Sequence, residues 1–218
     1  MVRIRSPYFI ALLAGFAASP AAGQVTLGVR AGASLSDLVV SGVGVNSQDG
    51  RRGFASGASL SLPVSGPFAL RLEGSYVPKG ATFTLVQLGD VGLRLDYVEL
   101  SALARAGFQI GRSRGSLYLL AGPTLGWETN CEVTITVVLQ PITQMGSCDG
   151  EELRTPTKNV DFAVSGGAGA QVAVTEGMGL SLEALYTRGL RSIYDGELDW
   201  TGHNRAISVR AGVVFRIG

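Results

Sequence analysis

The chain has 218 residues, one histidine, two cysteines and a formal net charge of +1. Such a balance gives no electrostatic reason to expect nucleic acid as a partner. Mean hydropathy is +0.28, yet after the first residues nothing approaches the roughly 18 unbroken apolar residues of a membrane helix.

Residues 1–23 read as a signal peptide. Arg3 and Arg5 form a basic start, residues 9–18 an apolar core, and Ala21-Ala22-Gly23 a small-residue cleavage site. No cysteine follows the apolar core, so a lipid anchor is not expected. Removing the two arginines takes the charge of the exported part from +1 to about −1. Residues 24–218 then form one domain, since no linker or composition shift divides them.

The first strand is expected at residues 25–35. Val25, Leu27, Val29, Ala31, Ala33 and Leu35 share one face, and Thr26, Gly28, Arg30, Gly32 and Ser34 the other. Residues 37–52 are polar and Gly-containing and read as a long loop. The second strand covers 54–63 and turns through Pro63-Val-Ser-Gly-Pro67 into a third at 68–77. There Phe68, Leu70, Leu72 and Tyr76 point one way, and Arg71, Glu73 and Ser75 the other. Residues 78–90 read as a second long loop.

The fourth strand, 93–108, changes phase near Tyr97, which suggests a bulge or a strand continuing above a membrane. Its second part alternates Val98, Leu100, Ala102, Ala104, Ala106 and Phe108 with Glu99, Ser101 and Arg105. A short turn leads to a fifth strand at 116–127, which has to accommodate Pro123. Residues 128–159 are the longest loop, with a β-rich arm at 133–139. A sixth strand at 160–174 is glycine-rich on its inner face at Gly167 and Gly169. A turn at 175–179 leads to the seventh strand at 180–187. Residues 188–203 form the last long loop, and the final strand follows: Ile207, Val209, Ala211, Val213, Phe215 and Ile217 alternate with Ser208, Arg210, Gly212, Val214 and Arg216.

Eight strands with alternating long and short connections make an all-β, antiparallel, up-and-down transmembrane barrel, closed by pairing the first strand with the last. The charged faces point inward and the near-pure apolar faces outward. A soluble barrel would need the reverse.

Three stretches carry a family resemblance: Leu27-Gly-Val-Arg-Ala-Gly-Ala-Ser-Leu35, Glu73-Gly-Ser-Tyr-Val-Pro-Lys-Gly80 and Leu95-Asp-Tyr-Val-Glu-Leu-Ser-Ala-Leu-Ala-Arg105. The chain resembles small outer-membrane β-barrels, porin-like and of OmpX/OmpA-like architecture. The third stretch is similar to a segment of that family, with Ser101 in place of its proline and Arg105 in place of its lysine. The resemblance implies a bacterial outer-membrane location, contact with outer-membrane lipids and lipopolysaccharide, and delivery by the barrel-insertion machinery. The chain ends Phe215-Arg-Ile-Gly218, so the terminal aromatic assembly signal of such barrels is offset.

Candidate function lies in two places. The inward charges Arg30, Arg71, Glu73, Glu99, Arg105, Glu183, Arg210 and Arg216 form either an ion path or a salt-bridge network filling the bore. The bore of an eight-stranded barrel is just wide enough for side chains to fill it, which favours the network. The long loops point to a structural or surface-interaction role with an extracellular partner. A narrow channel for ions or small solutes is the alternative.

A rim-located lipid-modifying enzyme would need His203 with Ser192 or Ser208 and Glu197 or Asp199, but no spacing supports that set. No catalytic residue, metal or cofactor is therefore expected. Asp195-Gly-Glu-Leu-Asp199 lacks the regular oxygen-ligand spacing of a calcium loop. Trp127, Trp200, Tyr97, Tyr186 and Tyr194 are expected as an aromatic girdle. Cys131 and Cys148, exported together, are expected to form a disulfide in the longest loop. The barrel is expected to be a monomer.

Overall fold

In the computed structural model of the chain, residues 24–41, 47–85, 89–111, 114–137, 142–148, 158–193 and 201–217 are described. The signal segment, Trp200, Tyr194 and the acidic stretch 195–199 lie outside them. Nine strands form: β1 (Val25–Ser41), β2 (Ser47–Ser65), β3 (Phe68–Leu85), β4 (Gly89–Gln109), β5 (Gly115–Val137), β6 (Ile142–Ser147), β7 (Val160–Ala173), β8 (Met178–Gly189) and β9 (Thr201–Ile217). The sheet runs β4-β3-β2-β1-β9-β8-β7-β5-β6, and β4 also pairs with β5, which closes a ring of eight strands. The short β6 is a ninth strand that hangs on β5 outside the ring.

Closure is made by the two ends of the chain. β1 and β9 pair antiparallel from Val25↔Ile217 to Ser41↔Thr201. Both alternate with period two, so one register puts Leu27, Val29, Ile207, Val209 and Phe215 outside together. The same alternation around the ring makes an exposed apolar belt that includes Leu70, Leu100, Leu119, Val164 and Leu182. A surface this apolar and continuous calls for lipid rather than water.

The strands run much further than the sequence pattern suggested. Stretches expected as loops at 37–52, 78–90 and the start of 128–159 are largely strand. The physical reason is an inversion of environment. In β4, Leu93, Leu95, Tyr97, Glu99, Ser101 and Leu103 are all buried, so the strand keeps one phase throughout. Below Tyr97 the inward residues are mostly polar and the outward ones apolar. Above it the inward residues are apolar and the outward ones polar. The apparent phase change is a strand rising out of lipid. The single extra residue lies opposite, in β5, where Asp96 pairs with Asn130 but Tyr97 with Glu128. Thr129 is the unpaired residue, and its hydroxyl donates to Asp96 O at 3.0 Å.

Inward apolar residues at the loop end pack as one cluster: Leu38, Ala81, Phe83, Leu93, Leu95, Tyr97, Val133, Cys148 and Ile193. Pro123 sits at an interruption of the β4–β5 ladder: pairs run to Ser101↔Thr124 and resume at Ala104↔Ala121, while the β5–β7 ladder continues through Pro123↔Val164, so the loss of its N–H is confined to the β4 side.

Cys131 and Cys148 form the disulfide, with Cα atoms 5.4 Å apart, well inside the range that a bridge spans. It ties β6 to β5 at the last pair of their ladder, Glu132↔Ser147. Thiol labelling of denatured, unreduced protein is expected to find no reactive cysteine. Two reactive thiols would refute the bridge. In the chain-entropy model a loop of this length is stabilised by roughly 3 kcal/mol.

Candidate functional site: the filled bore

The bore is organised around Glu183, on the inward face of β8 beside Arg210 of β9. Its carboxylate receives Arg71 Nη1 at 2.8 Å and Arg210 Nη2 at 2.7 Å, and Arg30 Nε approaches to 3.3 Å. The Tyr118 hydroxyl donates to it at 2.9 Å. Glu73 pairs with Arg71 and takes Arg210 Nη1 at 2.7 Å. Arg30 also donates to the Ser59 hydroxyl at 2.7 Å. Arg71, Glu73, Glu183 and Arg210 are each no more than 2% exposed. Leu103, Tyr118, Leu120 and Leu185 fill the remaining width beside them.

A second ionic layer lies nearer the loop end. Lys79 Nζ sits 2.7 Å from Glu99 Oε1 and 3.2 Å from Asp161 Oδ2. It also lies 4.6 Å from the centre of the Tyr97 ring, a cation–π distance. Asn204 Nδ2 donates to Asp161 Oδ2 at 2.8 Å. Between the layers, hydroxyls bond in a row from strand to strand: Ser101 to Thr124 at 2.8 Å, Thr124 to Ser165 at 2.7 Å, Ser165 to Thr187 at 2.8 Å.

The charges of the two layers complement each other. Three guanidiniums face two carboxylates in the Glu183 layer, and one ammonium faces two carboxylates in the Lys79 layer. Their excesses are opposite and cancel. A buried charge without a partner is expensive, so this balance is what lets so many ions share a buried interior.

Of the eight inward charges read from the sequence, Arg30, Arg71, Glu73, Glu183 and Arg210 are in one layer and Glu99 in the other. Arg105 stands apart, stacked over the Tyr118 ring at 4.5 Å with a long 3.4 Å bond to Gln171. Arg216 lies outside the network altogether. It is exposed at the short-turn end and donates to Glu176 O at 3.0 Å.

Pattern reasoning missed Lys79, Asp161, Tyr118 and Asn204. Lys79 falls in a stretch whose composition reads as a loop, although it continues the phase of Arg71, Glu73 and Ser75 and lies in β3. Tyr97 was expected in the outer girdle but points into the bore, in phase with Glu99, and is fully buried. Tyr76, Trp127 and Tyr186 are on the outer surface. The glycine face of β7 is not a void. A Cβ at Gly169 would lie 2.4 Å from Tyr118 Cζ, so the glycine is the seat of the Tyr118 ring.

His203 and Ser208 fall on opposite faces of β9. Ser208 is buried with the inward residues Asn204, Ala206 and Arg210, whereas His203 shares the phase of the exposed Arg205 and Ile207. Ser192 Oγ accepts the Gly202 N–H at 3.3 Å, and Glu197 and Asp199 lie outside the described residues. No nucleophile–histidine pair is assembled among the described residues.

A family model described as "Outer membrane protein beta-barrel domain" matches residues 9–215. A search of curated proteins found no match. Among solved structures, the chain is similar to Neisserial surface protein A, at 12% identity and a TM-score of 0.51, covering 88% of this chain and 97% of that one. It is also similar to the outer membrane protein OprG from Pseudomonas aeruginosa, at 10% identity and a TM-score of 0.55, covering 89% of this chain and 96% of that one. At such identities the likeness is one of fold.

Proposed function

Because the chain belongs to the outer membrane protein β-barrel domain family, and so to the bacterial outer membrane, we propose that it is a non-conducting barrel. It acts at the cell surface through its loop end. In this reading residues 1–23 export the chain, and the short turns face the periplasm.

One observation carries the reading: the bore is occupied from the Glu183 layer to the loop end. The Glu183 and Lys79 layers, the hydroxyl row and the apolar loop-end cluster follow one another along the axis. The bore of an eight-stranded barrel is just wide enough for side chains of that size to fill it. What projects from the membrane is a sheet stiffened from inside by Leu93, Leu95 and Phe83 and stapled by the disulfide. Such a platform suits contact with surface molecules.

A narrow channel is the second reading. It is supported by buried polar atoms without protein partners, among them Ser34 Oγ, Asp161 Oδ1 and Asn204 Oδ1, which isolated waters would satisfy.

Planar-bilayer recording separates the two. The wild type is expected to show no steady conductance. Glu99→Ala, which deprives Lys79 of its nearer carboxylate, is expected to produce brief openings. Arg105→Ala, which touches neither ionic layer, is expected to leave the record flat. Stable wild-type conductance indifferent to Glu99→Ala would make the channel reading the better one.

A further inference from the structure

We propose that the short-turn mouth of the bore is a binding site for a phosphate group of a small solute, with Arg105 as its cation. The site lies at the opposite end of the barrel from the surface-acting loops and goes beyond that reading.

The charge balance singles out Arg105. Across the two ionic layers four cations meet four carboxylates. Arg105 is a fifth cation in the bore, and among the described residues no carboxylate pairs with it. Gln171 Oε1 takes one of its N–H groups at 3.4 Å, and the Tyr118 ring takes its plane. A guanidinium carries five N–H donors in a flat fork, so most of this one remains to be satisfied. A cation so placed needs water or an anion.

The guanidinium is aimed at the mouth. A Cβ at Gly107, two residues nearer the short turn, would lie 3.1 Å from Arg105 Nη1. The side chain therefore runs down β4 over a glycine whose missing side chain leaves the room. Arg30 leans the same way, since a Cβ at Gly28 would lie 2.7 Å from its Nη1. Arg30 is committed to Ser59 and Glu183, so it adds field rather than a contact.

The wall around Arg105 supplies neutral donors. Gln109, Ser116 and Gln171 stand in one register row across β4, β5 and β7, and Gln109 shares the inward phase of Arg105. Gln171 gives its oxygen to Arg105, which leaves its amide nitrogen as the end that donates outward. Gln109 is exposed, and Arg105, Ser116 and Gln171 are half-buried, so a small solute reaches them from the mouth. At the rim Arg114 and Arg216 are exposed, and Glu176 is the one acid among the described short-turn residues.

A guanidinium fork, an amide and a hydroxyl on three different strands suit the oxygens of a phosphate, which accept from several directions. The Glu183 layer closes the site on its inner side, so the ligand enters and leaves by one mouth. In the proposed orientation that mouth faces the periplasm. A lipid is not the source, because its chains lie outside the barrel wall.

The test uses the full mature chain folded in neutral maltoside micelles. It is titrated with inorganic phosphate, with glycerol phosphate as a monoester, or with sodium chloride at equal ionic strength, and binding is read by isothermal titration calorimetry. The wild type is expected to bind one phosphate per barrel. Arg105→Ala is expected to bind at least tenfold more weakly, since it removes the charged donor. Gly107→Val keeps the charge but pushes the guanidinium off its seat, and is expected to weaken binding several-fold. R114A/R216A, at the exposed rim, is expected to stay within about twofold of the wild type. The heat-dependent gel shift checks folding in each variant.

The proposal is overturned if Arg105→Ala binds phosphate like the wild type. It is equally overturned if R114A/R216A loses as much as Arg105→Ala, which marks a diffuse field, or if chloride gives the same signal. Should Arg105→Ala fail to fold, unchanged binding by Gly107→Val overturns it. Equal binding of the monoester supports a phosphate group at the end of a larger solute, and binding of phosphate alone supports the free ion. None of these readings uses conductance, so failure here leaves the closed-bore reading standing, and the converse also holds.

Discussion

Glu183→Ala is expected to cost the folded barrel at least about 3 kcal/mol, the lower end for breaking a buried ion pair by removing one partner. The carboxylate is the meeting point of Arg30, Arg71 and Arg210 and of the Tyr118 hydroxyl. Removing it leaves three buried guanidiniums against Glu73 alone, and leaves Tyr118 without its acceptor. In the closed-bore reading they can be rehydrated only by opening the bore. Urea titration of the barrel in lipid vesicles, followed by the heat-dependent gel shift, measures the loss. Glu183→Gln keeps the shape and some hydrogen bonds, so it is expected to fall between wild type and alanine. Adding Arg71→Met to Glu183→Ala is expected to restore part of the stability, because it removes one of the stranded charges. A loss below about 1 kcal/mol, the scale of an exposed pair, would mean that the layer is hydrated.

The second large effect is expected at a residue with no side chain. Gly169→Leu would place a Cβ 2.4 Å from Tyr118 Cζ, 2.5 Å from its hydroxyl oxygen and 2.8 Å from Leu182 O. The ring has to leave. Overpacking of this kind costs about 1–3 kcal/mol. Tyr118 also gives up its bond to Glu183, a charged hydrogen bond of about 1.5–3 kcal/mol, and its stacking beneath Arg105. The same titration gives the total. Gly169→Ala is expected to cost less in a Tyr118→Ala background than in the wild type, because the clash is with the ring. Equal costs in both backgrounds would place the strain at Leu182 O instead.

The alternation of β1 and β9 made the ends, the closure and the faces of the barrel legible, because lipid outside and a packed bore inside enforce a strict period of two. That period reports which face a residue takes and says nothing about depth. Arg210 and Arg216 share a face in β9, yet only Arg210 reaches the packed layer. Above the belt the rule inverts, and a stretch such as Ala81-Thr-Phe-Thr84, apolar inside and polar outside, resembles a loop to anyone expecting lipid. Lys79 and Tyr97 were misplaced for that reason. Both continue the inward phase of their strands, and phase alone would have found them. Tyr118 and Asp161 occupy inward positions of strands that had been recognised. Their partners, Glu183 and Lys79, come from strands distant in sequence, and no local pattern records such a meeting.

The disulfide has a consequence for the order of biogenesis. It lies at the end of the barrel away from the short turns, which in the proposed orientation is the far side of the membrane from the periplasm. The oxidising catalysts work in the periplasm. If those catalysts supply the oxidation, the bond between Cys131 and Cys148 forms before the chain crosses. From then on the β5–β6 arm travels as a covalently closed ring, bulkier than a single extended strand. In the proposed orientation, whatever admits the other three loop connections has to admit this closed ring as well.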